Sequence, residues 1–213
     1  MTGPLTGKVA LVTGGARGIG RAIAHKLATA GCDICITYYN SHAEAEALCA
    51  DVRGLGRKAM AIQGNAGDPK SVAETFAEFR QEFERLDILV SNAASGYNRP
   101  VMEQKPKGWE WTMNINARAL LFAAQKCVPL MEKRGGGSIV SITSGGSTRV
   151  LPDYVVVGAS KAALESLTRY LAVELAPKNI AVNAVSPGVV ETDILKHFDI
   201  VNKEAGLIEE IIT

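Results

Sequence analysis

The hydrophobic pattern of the chain alternates between two periods. Short apolar runs, such as residues 9–12 (VALV) and 86–91 (LDILVS), suit strands buried on both faces. Between them, apolar residues recur four positions apart, as at Ile19, Ile23 and Leu27, which is typical of helices with one buried face. The predicted strands are residues 9–12, 33–38, 58–63, 86–91, 138–143 and 180–185. The predicted helices are residues 18–30, 42–55, 69–85, 108–133 and 155–176.

This regular alternation of strand and helix predicts an α/β fold. Successive strands joined by helices form right-handed crossovers, which place the strands in one parallel sheet with helices on both faces. Six strands are enough for a doubly wound Rossmann sheet of strand order 3-2-1-4-5-6. The 213 residues contain no internal repeat and no linker, so residues 1–213 are predicted to form a single domain.

Composition and charge argue against several classes of protein. The formal net charge is +1 and both signs are scattered along the chain, so no basic surface indicates a nucleic-acid or anionic-membrane partner. No apolar run reaches the roughly 18 residues that a membrane span needs, and the N-terminal segment lacks the apolar core of a signal peptide. The sequence therefore predicts a cytoplasmic protein that binds neither nucleic acid nor membrane.

The cysteines and histidines do not form a metal-binding pattern. Cys32 and Cys35 are spaced as C-x-x-C, but they lie in or beside a predicted strand, where an odd spacing sends two side chains to opposite faces. All four cysteines are therefore interpreted as small core residues and not as a redox or metal pair. The three histidines are few and scattered, so no metal site is predicted.

A glycine-rich run joins the first predicted strand to the first helix. Residues 13–20 read TGGARGIG, so a strand, a glycine turn and a helix N-terminus follow one another. Free backbone N–H groups and the positive end of the helix dipole then point at one spot, where residues without a Cβ let a pyrophosphate approach. The run therefore predicts that the domain binds a dinucleotide. Its candidate cofactor-binding residues are Thr13, Gly14, Arg17, Gly18, Ile19 and Gly20.

The end of the second predicted strand bears on which dinucleotide is bound. A site that prefers NAD usually carries an acidic residue there, which bonds the ribose 2′-hydroxyl. Here residues 37–41 read TYYNS, without a carboxylate to repel a 2′-phosphate, and Arg17 offers a forked donor to such a phosphate. NADP(H) is therefore favoured over NAD(H), with Tyr38 and Asn40 beside the adenosine ribose. The alternative for Arg17 is a solvated loop cation.

The spacing Thr-Gly-x3-Gly-x-Gly differs from the common Gly-x-Gly-x-x-Gly and resembles that of the short-chain dehydrogenase/reductase family. The resemblance covers nearly the whole chain and implies a nicotinamide-dependent oxidoreductase. It also implies that segments after the third, fourth and sixth strands hold the cofactor. These segments supply Asn65 and Ala66 beside the adenine, Asn92, Ala93 and Ala94 (the last replacing a family glycine), and Pro187, Gly188, Val190 and Thr192 at the nicotinamide end. There, the backbone of residues 189 and 190 would bond the carboxamide, and Thr192 a phosphate.

The same resemblance implies four catalytic residues. In the family, a tyrosine delivers the proton, a lysine stabilises the phenolate and bonds the nicotinamide ribose, a serine orients the substrate, and an asparagine holds a water relay. Ser144 follows the fifth predicted strand, Asn116 interrupts a long apolar helix, and Lys161 lies in the sequence SKAAL. Most members carry tyrosine four residues before the lysine. This chain has Val157 there, and Tyr154 stands seven residues before Lys161.

Tyr-x6-Lys is the spacing of the enoyl-thioester reductases of this family, and the chain is most similar to the bacterial enoyl-[acyl-carrier-protein] reductase III type. On a regular helix, positions four and seven residues apart lie on one face, so Tyr154 can point the same way as Lys161 from about 10.5 Å along the axis. The resemblance implies an NADPH-dependent reduction of the C=C bond of an enoyl thioester in fatty acid biosynthesis, with Tyr154 as proton donor. The substrate would be an acyl thioester, on acyl carrier protein or a similar carrier.

Two alternatives to this enoyl reductase stay open. One is a 3-oxoacyl or other carbonyl reductase or dehydrogenase of the same fold. The other is a dinucleotide-binding protein without turnover, because Val157 stands in the usual tyrosine position.

The family resemblance also bears on the C-terminus and on assembly. Members usually continue with a further strand and helix beyond the point where this chain ends, so we expect that strand and helix to be missing. The apolar residues 207–212 are predicted to be helical. The helices of residues 108–133 and 157–176 are expected to pair across a two-fold axis, which predicts a homodimer or homotetramer.

Overall fold

Six parallel strands form one sheet in the computed structural model, which describes residues 3–188, 190 and 192. The strands are β1 (Val9–Val12), β2 (Asp33–Tyr38), β3 (Ala59–Gln63), β4 (Ile88–Ser91), β5 (Gly137–Ile142) and β6 (Ile180–Val185). They lie in the order β3-β2-β1-β4-β5-β6. This order confirms the doubly wound sheet predicted from the sequence, and it brings the carboxyl ends of all six strands to one edge.

Helices connect the strands. They are α1 (Gly18–Thr29), α2 (His42–Gly54), α3 (Pro69–Glu82), α4 (Pro106–Met113), α5 (Ala119–Glu132) and α6 (Val155–Leu175). The helix predicted for residues 108–133 begins earlier, since Pro106 suits the first helical position. It is also interrupted between α4 and α5, where Asn114–Arg118 form one π-helical turn. Turns of this type inside α-helices are frequent at functional sites.

Two clusters of buried apolar side chains lie on opposite faces of the sheet, because alternate residues of a strand point to opposite faces. Within β1, Leu11 belongs to the first cluster, whereas Ala10 and Val12 belong to the second. The first cluster continues into α3 and α5, and the second into α1 and α2. β1 is thus buried on both faces, so the core fixes the position of the segment that leaves its carboxyl end.

The connection from α3 to β4 departs from the predicted boundaries. α3 ends at Glu82 and β4 begins at Ile88, whereas the sequence pattern predicted a helix to residue 85 and a strand from residue 86. Phe83 adopts an extended backbone and is buried, which ends the helix. The carboxylate of Asp87 is also buried, where it accepts hydrogen bonds from Val9 N (2.9 Å) and Lys8 Nζ (3.0 Å). Interior packing of the connection, which no local pattern reveals, sets both boundaries.

The four cysteines are buried and form no disulfide, in agreement with their interpretation as small core residues. Cys35 lies in the first cluster and Cys32 in the second, so the C-x-x-C pair is divided by the sheet. Burial raises the pKa of Cys32 and of Cys127 to about 12, which disfavours the reactive thiolate. Among residues 3–188, 190 and 192, no group of cysteine, histidine and carboxylate side chains is arranged to hold a metal ion.

The remaining predictions concern membrane spans, the C-terminus and the subunit contact. None of the helices in the described ranges has both the length and the apolar character of a bilayer span. In the same ranges β6 pairs with β5 alone and forms an edge of the sheet. The predicted helix of residues 207–212 lies outside the described residues.

On α6, Ala162 and Tyr170 are exposed, which is compatible with the predicted two-fold contact, and that contact stays a prediction.

Candidate active site

The glycine turn between β1 and α1 depends on the absence of side chains at three positions. Gly14 (φ 63°) and Gly18 (φ 53°) adopt left-handed backbone conformations, which favour glycine. A Cβ on Gly20 would collide with the Gly14 carbonyl and the Asn92 amide. A Cβ on Gly14 would lie 2.9 Å from the Cα of Ala93. The turn therefore packs directly against the segment after β4.

Thr13 and Asn92 fasten the glycine turn to that segment. The Oγ1 atom of Thr13 accepts hydrogen bonds from the backbone N–H groups of Asn92 and Ala93, each at 3.0 Å. The Nδ2 atom of Asn92 donates to the carbonyl oxygens of Thr13 and Gly14, each at 3.0 Å. Both side chains thus brace the turn, and any contact that they make with a ligand is additional to this role.

The N-terminus of α1 is suited to an anion. Its N-cap residue, Arg17, makes no capping hydrogen bond through its side chain, and the first turn carries no acidic residue. The positive end of the helix dipole is therefore not neutralised by the helix's own side chains. Thr192 lies beside this turn, since its methyl group is 3.6 Å from the position of a Cβ on Gly18. These residues fit the pyrophosphate of a dinucleotide, as the glycine run predicted.

Tyr38 and Asn40, predicted to bind the cofactor, lie at the end of β2 and directly after it, and this role stays a prediction. Tyr38 is 8% exposed, and its hydroxyl is 2.7 Å from Nδ1 of His42. The residues exposed at this exit are Tyr39 and Asn40. The ring of Tyr39 meets the ring of Trp111 edge-on, at 6.1 Å between centroids. Tyr39, and not Tyr38, therefore offers an aromatic surface at this rim.

The other predicted cofactor residues lie at neighbouring strand exits. A small cavity of about 20 Å³ is lined in part by Thr13, Asn65 and Ala66, which places these exits side by side. The Oδ1 atom of Asn65 accepts a hydrogen bond from Gly67 N at 2.9 Å and so closes its own turn. Ile19, Ala93 and Pro187 are half-buried, and Ala94, Gly188 and Val190 are exposed. Residue 189, predicted to bond a carboxamide, lies outside the described residues.

Ser144 and Tyr154 meet across the loop between β5 and α6. Ser144 opens the 3₁₀ turn Gly145–Ser147, where its Oγ accepts a hydrogen bond from Gly146 N at 3.3 Å. The same Oγ lies 3.3 Å from the hydroxyl oxygen of Tyr154. Gly146 leaves room for the phenol, because a Cβ there would be 2.5 Å from Cε1 of the Tyr154 ring. The loop therefore brings together two of the four residues predicted to be catalytic.

Tyr154 lies immediately before α6 and not within its regular turns. Its backbone has φ −101° and ψ 9°, and its carbonyl accepts a hydrogen bond from Gly158 N at 2.8 Å. Val157, which occupies the usual tyrosine position, is buried, and a Cβ on Gly96 would collide with it. Val157 thus packs against the loop after β4, while Tyr154 reaches Ser144 from the N-cap of the helix.

Lys161 carries a buried amine on α6. The residue is 6% exposed, and Nζ donates a hydrogen bond of 2.7 Å to the carbonyl oxygen of Ile142. Ile142 is the last residue of β5, two positions before Ser144, so the amine is held at the strand end that leads to the serine. Burial lowers the pKa of the Lys161 ammonium from 10.5 to about 8.

Asn116 lies within the π-helical turn Asn114–Arg118 and is buried. Its Oδ1 accepts a hydrogen bond from Ser95 N (2.8 Å), and its Nδ2 donates to Ser95 O and to the hydroxyl of Ser160, both at 2.9 Å. The amide therefore ties the loop after β4 to α6, next to Lys161. The side-chain bonds seen here are structural, and a water relay at Asn116 stays a prediction.

Glu165 is a residue of the site that the sequence did not single out. Its Oε1 accepts hydrogen bonds from the hydroxyls of Thr143 (2.7 Å) and Ser147 (2.6 Å), which flank Ser144. Burial opposes ionisation of this carboxyl, but the bonds from Ser147 and Thr143, with the charge of Arg169, outweigh it and lower the pKa. Glu165 therefore holds the loop that presents Ser144. Its place four residues after Lys161, on the same helix face, was the available signal.

Proteins of known family are similar to this chain over most of its length. A sequence model described as enoyl-(acyl carrier protein) reductase matches residues 14–210. The curated 1-cyclohexenylcarbonyl-CoA reductase of Streptomyces collinus is 38% identical over 191 residues, which cover 90% of this chain and 68% of that protein. The hydroxynaphthalene reductase-like protein Arp2 of Metarhizium robertsii is 37% identical over 191 residues, which cover 89% of this chain and 71% of that protein.

A solved structure is similar over the same extent. The short chain dehydrogenase from Burkholderia cenocepacia, crystallised in complex with NADP, has a TM-score of 0.85 and 42% sequence identity to this chain. The similarity covers 89% of this chain and 77% of that one.

Proposed function

This chain belongs to the short-chain dehydrogenase/reductase family of oxidoreductases, and we propose that it is an NADPH-dependent reductase of the C=C bond of an enoyl thioester. The observation that carries the proposal is the 3.3 Å contact between Ser144 Oγ and the Tyr154 hydroxyl. It pairs the serine with a phenol from the Tyr-x6-Lys position, while valine fills the position closer to Lys161.

NADPH suits the residues at the carboxyl ends of β1 and β2. The glycines at positions 14 and 18 and the unneutralised N-terminus of α1 fit the pyrophosphate. The exposed residues after β2, Tyr39 and Asn40, carry no negative charge, and the exposed Arg17 is a forked donor for a 2′-phosphate. The Burkholderia relative was crystallised with NADP. When bound, NADPH supplies the hydride.

The two candidate reactions differ in the distance between two substrate atoms: the carbon that accepts the hydride and the oxygen that accepts the proton. In ketone reduction the oxygen that takes the proton is attached to the carbon that takes the hydride. In enoyl-thioester reduction the hydride adds to the β-carbon, and negative charge develops on the thioester oxygen, which lies farther along the substrate. A donor displaced along the cleft suits the second reaction, and Tyr154 stands at the N-cap of α6, one turn before Val157.

The residues around Tyr154 then have distinct roles. The Tyr154 hydroxyl donates its proton to the thioester oxygen, which gives an enol that tautomerises to the saturated thioester, and Ser144 Oγ orients that hydroxyl and the substrate oxygen. The cationic form of Lys161 stabilises the phenolate left behind and bonds the nicotinamide ribose. Glu165 and Asn116 position the loops that carry Ser144 and Ser95. The name of the Streptomyces relative describes an unsaturated acyl group on CoA, which supports this substrate class.

A carbonyl reductase is the second candidate. The Metarhizium relative is named as a hydroxynaphthalene reductase-like protein, and a serine and a tyrosine in contact can also protonate a ketone oxygen. For the enoyl reductase, a substrate carried on acyl carrier protein would place the reaction in fatty acid biosynthesis.

A homodimer or homotetramer through α4, α5 and α6 is part of the same proposal, since exposed apolar side chains such as Tyr170 and Val173 lie on α6.

The test is a comparison of substrates with the purified chain. With NADPH, we expect crotonyl-CoA to be converted to butyryl-CoA faster than acetoacetyl-CoA is reduced, and NADH to be a poorer donor. Loss of nicotinamide absorbance follows the rate, and mass spectrometry of the thioester identifies the product. Reduction of acetoacetyl-CoA alone would establish the carbonyl reductase instead. NADPH binding, seen as a change in nicotinamide fluorescence, with neither substrate reduced would contradict both candidates.

A further inference from the structure

A surface cavity of about 300 Å³ lies between the loop after β4 and the first turn of α4. We call it the basic cavity. It is lined by Tyr97, Arg99, Lys105, Lys107, Gly108 and Trp111. Three of these six residues are cations and none is acidic, although the net charge of the chain is only +1. Within the part of the chain that the structure describes, none of the three cations forms an ion pair. Unpaired cations gathered around one cavity favour an anionic ligand.

Packing and hydrogen bonds hold the walls of the basic cavity. The guanidinium carbon of Arg99 lies 5.0 Å from the centroid of the Tyr97 ring, a cation–π contact. Gly108 allows the Tyr97 hydroxyl to approach the start of α4, because a Cβ at that position would collide with it. Trp111 donates a hydrogen bond of 2.9 Å from Nε1 to Ser95 Oγ. These contacts hold the aromatic side chains and Arg99 in place, and the exposed Lys105 and Lys107 lie at the start of α4 beside them.

The loop beside the basic cavity also contains polar atoms without partners. Among the described residues, six buried side-chain nitrogen and oxygen atoms lack a hydrogen bond, and four of them belong to Tyr97, Asn98 and Gln104. Buried polar atoms are nearly always bonded in folded proteins, since an unpaired one is costly. Of the three residues, Tyr97 also lines the basic cavity, so one of the unpaired atoms, its hydroxyl, belongs to the lining of that cavity.

Two routes of hydrogen bonds connect the basic cavity to the candidate active site. The backbone N–H of Arg99 donates to the carbonyl oxygen of Asp153 at 2.8 Å, directly before Tyr154. Ser95, which bonds Trp111, has its backbone N–H and C=O bonded to the amide of Asn116. The basic cavity therefore borders the segments that carry the proposed proton donor and the buried asparagine.

We propose that the basic cavity binds the phosphate of a phosphopantetheine arm, the group that coenzyme A and acyl carrier protein share. The inference rests on the proposed function, because an enoyl thioester carries its acyl chain on such an arm. Lys105 and Lys107 provide point charges for the phosphate, and Arg99 provides a forked donor. Trp111 provides an apolar wall for the part of the arm that leads towards the active site. The competing ligand is the 2′-phosphate of NADPH, since Trp111 also touches Tyr39 at the exit of β2.

Trp111 provides a direct reporter of binding. The chain has two tryptophans, so Trp109→Phe leaves Trp111 as the only one. In this variant, we expect coenzyme A and 4′-phosphopantetheine to change the Trp111 emission saturably and with similar affinity. Pantetheine, which lacks the phosphate, should bind at least about tenfold more weakly, a difference of about 1.4 kcal/mol. Binding of coenzyme A without binding of phosphopantetheine would overturn the proposal, because the nucleotide end would then be the group recognised.

Charge variants locate the phosphate. In the Trp109→Phe background, Lys105→Gln with Lys107→Gln should weaken both phosphorylated ligands about tenfold and leave pantetheine and NADPH unaffected. The matched control is Lys26→Gln with Lys126→Gln, which removes two exposed lysines on α1 and α5 and should change nothing. A loss of NADPH affinity with unchanged phosphopantetheine binding would assign the basic cavity to the cofactor and overturn the proposal.

These titrations require no turnover, which separates them from the test of the proposed function. If the wild-type chain reduced only ketones while phosphopantetheine still bound through Lys105 and Lys107, the proposed reaction would fail and the arm site would stand. If crotonyl-CoA were reduced while the lysine variants bound phosphopantetheine normally, the reaction would stand and the arm site would fail.

Discussion

Replacing Tyr154 with phenylalanine is expected to lower the turnover of an enoyl thioester by about 10²- to 10⁴-fold, the usual contribution of a positioned general acid. The variant keeps the ring that packs against Gly146 and removes only the hydroxyl, which lies 3.3 Å from Ser144 Oγ. Because the change removes an interaction of the transition state, kcat and kcat/KM for the thioester should fall together. Affinity for NADPH, measured by nicotinamide fluorescence, should stay close to that of the wild-type chain.

A matched control for Tyr154→Phe is Tyr170→Phe. Tyr170 lies on the same helix, is 68% exposed, and is remote in sequence from the Ser144 loop. Its substitution should leave turnover unchanged. Undiminished enoyl reduction by Tyr154→Phe would remove the phenol from the mechanism, and the proton would then have to come from Ser144 or from a water molecule near Asn116.

Replacing Lys161 with methionine is expected to lower both turnover and NADPH affinity, because one amine serves the phenolate and the ribose. Loss of charge-assisted hydrogen bonds of this kind weakens binding by about 1.5–3 kcal/mol, or about 10- to 150-fold. The methionine stem fills nearly the same buried space as the lysine stem, so the fold is retained. Lys161→Arg keeps a charge in a different shape, and it should recover little of the activity.

The pKa of Lys161 gives this prediction a pH dependence. In the free chain the amine is protonated below about pH 8 and neutral above it. If the cation binds NADPH, kcat/KM for NADPH should therefore fall as the pH rises through about 8, since this ratio reports the free enzyme. Lys161→Met should lack that decline. A wild-type profile that rises or stays flat across this range would contradict a role for the cation.

The same group links stability to pH with a definite sign. The pKa of Lys161 is lowered on folding from 10.5 to about 8, so between these values the unfolded chain binds more protons than the folded one. Unfolding free energy of the wild-type chain should therefore rise with pH across this window, by on the order of 3 kcal/mol relative to Lys161→Met. Below about pH 8 the variant should be the more stable of the two, since it buries no charge. Denaturant unfolding at several pH values measures this difference.

Local patterns of the sequence were sufficient to predict the sheet and the glycine turn. Each strand and helix has its own period, and a strand followed by glycines and a helix N-terminus defines an anion site without reference to distant residues. Boundaries were less predictable where distant packing decides them. Phe83 and Asp87 end α3 and delay β4 because both are buried against other elements.

The site itself could be predicted only in part, for identifiable physical reasons. Tyr38 belongs to a strand buried on both faces, so its hydrophobic pattern does not reveal which face the side chain takes, and it turns to His42. Glu165 acts through hydroxyls more than fifteen residues away in sequence. The basic cavity depends on how the loop after β4 folds over α4, which a loop sequence without periodicity does not specify.

The central claim is that the position of the phenol selects enoyl over ketone reduction, and moving the phenol tests it most directly. The double variant Tyr154→Phe with Val157→Tyr places the hydroxyl one turn from Lys161, and Tyr154→Phe with Val157→Phe supplies a ring of similar size without it. The measurement is the ratio of kcat/KM for acetoacetyl-CoA to that for crotonyl-CoA. The account predicts that this ratio rises well above the wild-type value in the tyrosine variant only. Recovery of wild-type crotonyl-CoA reduction by the tyrosine variant, with an unchanged ratio, would contradict it.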